Sequence, residues 1–149
     1  MLYARILLGL AAATVVVGAA LDLTASATPL LSGKITVRSW ETLSASDVTD
    51  GGVAGRGRFK ISGVITDSGK VTDYRTVKGT TITIRRVTAG KHGSVTFRIT
   101  IQMGNTAPAP WVITSATKTY KGLRGKGTQV VDNFQATPAT FVLKGTVFR

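Results

Sequence analysis

A run of strict alternation in the middle of the chain constrains the fold more than any other feature. Val95, Phe97, Ile99, Ile101 and Met103 stand at every second position, separated by Thr96, Arg98, Thr100 and Gln102. Side chains of an extended strand point to opposite faces at period two, whereas a helix needs period 3.6. Only as a β-strand does this segment have one buried and one wet face. Ile35 and Val37 alternate in the same way with Lys34, Thr36 and Arg38, as do Phe59, Ile61, Gly63 and Ile65 with Arg58, Lys60, Ser62 and Thr66. Lys70 to Val77 is a weaker strand, and Thr80 to Val87 is β-branched almost throughout. Trp111 to Ser115, Lys126 to Val131 and Thr140 to Phe148 complete the series.

Turn formers separate these runs: Asp67-Ser68-Gly69, Ala89 to Gly93, and Gly104 to Pro110, where Pro108 and Pro110 have no N–H for a ladder. Glu41 to Gly57, rich in serine, aspartate and glycine, reads as a long loop, so residues 28–57 form a partly loop-like opening segment. The expectation is a single all-β domain over 28–149. It is a small antiparallel eight-stranded barrel, with a β-sandwich as the alternative.

The first residues serve another purpose. Arg5 is followed by an uncharged apolar run from Ile6 to Leu21 and by Ala25-Ser26-Ala27, which fits a secretory leader cleaved near Ala27. The run ends at Asp22 with no basic cluster after it, and it is short for a spanning helix. The expected product is a secreted, extracellular protein with no stable membrane span after cleavage. It has no cysteine, so no disulfide and no thiol chemistry.

Lysine and arginine outnumber acids 19 to 7, for a formal net charge of +12. Arg56, Arg58, Lys60, Arg85, Arg86, Arg98, Lys118, Lys121, Arg124 and Lys126 are spread over many strands with few aromatics between them. Nucleic-acid surfaces concentrate charge and interleave it with stacking rings, so no nucleic acid is expected. Anionic cell-envelope polymers are the fitting partners for an exported cation.

Signals for catalysis are sparse. Gly122 to Thr128 has glycines and a lysine, but it lacks the spacing and the helix of a phosphate-binding loop and reads as a tight bend. His92, the one histidine, sits in a turn, and with so few ligating side chains no metal and no cofactor is expected. Paired-carboxylate work is formally open to Asp47 with Asp50 or Asp67 with Asp73, and turn carboxylates are the better explanation of both pairs.

The segment Ala116-Thr117-Lys118-Thr119-Tyr120-Lys121-Gly122-Leu123-Arg124-Gly125 resembles a Gly-Thr-Gly-x-Tyr/Phe-x-Gly-x-Arg-Gly stretch of the allene oxide cyclase-like and dirigent-like barrel superfamily. Ala116 and Lys118 stand where that pattern has glycines. Gly55 to Gly63 is similar to a strand of the same group, and the likeness covers Gly51 to Arg149. It implies an eight-stranded barrel with an apolar interior, in a bacterial secreted member of the group. Tyr120, Gly122, Arg124 and Gly125 match the bend, and no catalytic residue is carried over.

Three functions follow as expectations. The first is a non-catalytic barrel binding a small hydrophobic or amphipathic molecule, lined by Phe97, Ile99 and Ile101, with Trp111 and Tyr120 at a mouth. The second is an isomerase or cyclase of the allene oxide cyclase type on a hydrophobic substrate, for which Asp73, Tyr74 and Tyr120 are the candidate polar groups. The third is a basic protein that adheres to the envelope.

Overall fold

Alternation becomes eight strands in a computed structural model that describes residues 30–44 and 50–149. The leader read over 1–27 and Asp47 lie outside the described residues. The strands are β1 (Ser32–Leu43), β2 (Val53–Gly63), β3 (Asp67–Lys78), β4 (Thr81–Gly90), β5 (Gly93–Gln102), β6 (Ala109–Ala116), β7 (Arg124–Asn133) and β8 (Ala139–Phe148). Each pairs antiparallel with the next, and β8 returns to β1, so the sheet closes into a barrel. Closure satisfies the row of backbone groups that an edge strand would leave open, and it decides for a barrel over a sandwich.

Three boundaries differ from the sequence reading. β1 continues through Glu41 to Leu43 and β2 begins at Val53, so both ends of the expected loop are strand. The apolar signal had ended because Ser39 and Glu41 carry polar side chains into the interior, while the backbone period ran on unchanged. Asp67-Ser68-Gly69 opens β3 instead of turning, and the turn lies at residues 64–66. Pro110 lies inside β6, beyond the last β5–β6 pair at Ile99 and Trp111, where a missing N–H costs no ladder bond to β5.

The middle of the barrel is packed solid. Val37, Ile61, Val71, Val95, Phe97, Ile99, Trp111, Leu143 and Val147 are buried together. The Phe97 and Trp111 rings meet edge to face, with centroids 5.4 Å apart at 85°. Burying side chains of this size is worth roughly 1.5–3 kcal/mol each. The Trp111 side chain is buried against β7 and β8, and its indole N–H donates to the Thr128 carbonyl at 3.1 Å. Gly127 and Gly145 make the room for it: a Cβ on either would collide with the indole ring.

Candidate functional site

Above this packed middle, the end reached by Leu43, Ala54, Arg75, Ile82, Ile101 and Val131 is open. A cavity of about 480 Å³ lies there, walled by Leu43, Ile82, Ile84, Ile101, Val131, Phe134 and Phe141. Phe134 and Phe141 meet edge to face at 6.5 Å. Phe134 and Val131 are exposed, so the rim is apolar.

The floor of the cavity is ionic. Arg86 of β4, between the inward Ile84 and Thr88, is almost wholly buried. Its Nε and Nη2 donate to the two Asp73 carboxylate oxygens at 2.9 and 2.6 Å. Its Nη2 also meets Glu41 Oε1 at 2.7 Å, and Nη1 donates to Gln129 Oε1 at 3.2 Å. The guanidinium lies 5.0 Å from the centre of the Phe141 ring. The Ser39 hydroxyl donates to Glu41 Oε1 at 2.6 Å. A charge this deep is tolerable only when paired and hydrogen-bonded, and Arg86 is both.

Two carboxylates share this one guanidinium, and their protons reflect it. Burial pushes Glu41 up to about 7; Arg86 opposes that rise and the neighbouring Asp73 charge adds to it. Asp73 is also within hydrogen-bond reach of Glu41. Glu41 Oε2 is buried and has no hydrogen-bond partner, which favours the protonated carboxyl. Arg86 is disfavoured as a cation by burial, but Asp73 and Glu41 outweigh that and raise its pKa. The floor therefore holds the Arg86 cation between two carboxyl groups, of which Glu41 is poised near neutrality. Asp73, Arg86 and Gln129 line the cavity, with Glu41 behind them.

The opposite end is sealed. A 3-10 turn at Lys118–Tyr120 folds Tyr120 and Leu123 against the core, with Leu31 and Ile65 packed beside them. The Tyr120 hydroxyl donates to Asp67 Oδ2 at 3.0 Å. Asp67 also accepts the backbone N–H groups of Ser68, Lys91 and His92 at 2.8, 3.2 and 3.2 Å. Burial raises its pKa, but the donors from Ser68, His92, Tyr120 and Lys91 outweigh that and hold it below the usual 3.8. Burial, together with the Asp67 carboxylate, pushes Tyr120 up to about 12.

These two ends separate the residues that the sequence grouped. Ile101 lines the cavity, while Phe97, Ile99 and Trp111 belong to the packed middle and Tyr120 to the sealed end. Trp111 is thus a central core residue and not a rim residue, because the two glycines opposite it draw the indole inward. Of the enzyme-type candidates Asp73 is on the cavity floor, whereas Tyr74 is outside beneath the Arg85 guanidinium at 3.9 Å. Asp67 and Asp73 both point inward from β3 but serve opposite ends, so they form no pair. Arg86, counted with the surface cations in the sequence, is a buried cation of the interior. Glu41, Arg86 and Gln129 were missed, although each occupies an inward phase of its strand's alternation.

No family model, no curated protein and no solved structure matches this chain. Among the described residues no His, Cys, Asp and Glu cluster could hold a metal, and no helix is long and apolar enough to cross a membrane.

Proposed function

We propose that this is an exported, non-catalytic barrel that binds a small, largely apolar molecule in its open mouth. The observation that carries the reading is the cavity itself: about 480 Å³, apolar walls, and buried polar groups converging on one floor. Small-molecule sites have this volume and this division between shape and orientation. Arg86 is already neutralised by Asp73 and Glu41, so the floor favours an uncharged polar group over an anion. Gln129 gives its carbonyl oxygen to Arg86, which leaves its NH₂ group to donate to a ligand acceptor.

Kinship with the allene oxide cyclase-like barrels belongs to the same proposal. It is supported by the closed eight-stranded sheet and by Lys118, which holds φ 52° at a position where the family pattern has glycine. A second reading, an isomerase or cyclase, is favoured by the buried Glu41–Asp73 pair, since a carboxyl near 7 can both give and take a proton at neutral pH. Glu41 stands behind the cavity lining, however, so a proton would have to pass through Asp73, and binding is the simpler use.

Native mass spectrometry of the secreted chain, with Val131→Trp and Ile84→Trp as mouth-filling variants, tests the proposal. An adduct of a few hundred daltons on the wild type, lost from both variants, is expected. A bare polypeptide mass for the wild type, or an adduct indifferent to both substitutions, would overturn it.

A further inference from the structure

The outer wall carries a second feature that the mouth does not use. Arg56, Arg58 and Lys60 occupy successive outward positions of β2, about 6.7 Å apart along the strand. Lys70 of β3 stands directly opposite Arg58, and Arg38 of β1 directly opposite Lys60. Like charges placed opposite one another weaken a sheet, and both pairs are fully on the wet face. Among the described residues the acids are Glu41, Asp50, Asp67, Asp73 and Asp132, and three of these point inside. Asp132 reaches Arg38 at 2.8 Å, and no described acid reaches Arg56, Arg58, Lys60 or Lys70. Trp40 lies half-buried on the same face, paired across β1–β2 with Arg58.

We infer that this β1–β2–β3 face docks an acidic polysaccharide, its carboxylates on the β2 cations and one sugar ring on Trp40. The outer wall of the closed barrel is convex across its strands. A linear chain laid along the strand reaches all three β2 cations, whereas a flat bilayer touches the curve along one line. A single ring between cations suits the C–H face of one sugar and gives no succession of stacking platforms for bases. Arginine, with its planar fork, matches the carboxylate geometry.

Polygalacturonate is the probe, titrated calorimetrically across a salt series against wild type, R58Q/K60Q and a control, K118Q/K121Q, that removes equal charge at the sealed end. R58Q/K60Q is expected to bind about tenfold more weakly, with a shallower salt dependence, and the control to stay within about twofold of wild type. Trp40→Ala weakens polygalacturonate binding and leaves inorganic polyphosphate binding unchanged. Thermal melts check the folds, and R58Q/K60Q should melt no lower than wild type because it relieves repulsion. Equal losses in the two double variants would reduce the face to net charge. Wild type failing to bind at low salt, or binding polyphosphate or phosphatidylglycerol vesicles more tightly than polygalacturonate, would also overturn the inference.

Discussion

Asp67 and Asp73 lie on one strand, point into one barrel, and end in opposite circumstances. Asp67 is surrounded by donors from the backbone and from Tyr120, so the sealed end holds a carboxylate that is fully satisfied and has nothing left to offer. Asp73 shares a guanidinium with Glu41 beneath an open cavity, so the other end holds charge whose partners were chosen from side chains. The same residue type serves as a structural plug at one end and as the floor of a site at the other. Hydrogen-bond supply makes the difference: turns bring backbone N–H groups to the sealed end, while the carboxyl groups of the floor take their donors from the Arg86 and Ser39 side chains.

The largest test of that contrast is Arg86→Met. It leaves the Asp73 carboxylate buried without a counter-charge and is expected to cost about 3–5 kcal/mol in denaturant unfolding. Replacing Arg86, Asp73 and Glu41 together with apolar side chains should restore most of that stability while abolishing the adduct. If the triple variant stays as unstable as Arg86→Met, the cluster is scaffold and not site. At the sealed end Tyr120→Phe removes one hydrogen bond to a carboxylate that keeps three others. It should cost only about 1 kcal/mol and leave ligand binding intact.

The ends also respond to pH in opposite senses. Glu41 is raised from 4.5 to about 7 in the folded protein, so the fold binds its proton more tightly than the unfolded chain does. Stability should therefore fall as pH rises from about 4.5 through 7, by on the order of 2–3 kcal/mol, and Glu41→Gln should flatten that slope. Asp67 is depressed, so its contribution is present above 3.8 and is lost as the pH falls below it; Asp67→Asn should remove that acid limb alone. The smallest expected effect lies on the wall. Arg58→Thr relieves the repulsion with Lys70 and should raise stability by a few tenths of a kcal/mol.

The sequence made the barrel legible because the inward rows of β2 and β5 are unbroken apolar alternations. It hid the site for the same reason: Ser39, Glu41, Asp73, Arg86 and Gln129 sit in inward phase but are polar, and polarity in one sequence reads as surface or loop. A polar side chain that keeps step with an apolar row was the available signal. Arg86, between Ile84 and Thr88, showed it most plainly. That these residues from four strands meet on one floor depends on register and closure, which composition does not carry. Trp111 was misplaced because its amphipathic ring suits a rim equally well, and only the glycines on the neighbouring strands β7 and β8 reveal that it belongs inside.

Carboxyl NMR titration of the folded protein, following Glu41 and Asp67 side by side, tests this account most directly. Glu41 titrating near 7, with Asp67 below its ordinary 3.8, is the expected result. Glu41 titrating near 4.5 would mean that water reaches it freely, and the buried proton-sharing floor described here would not exist.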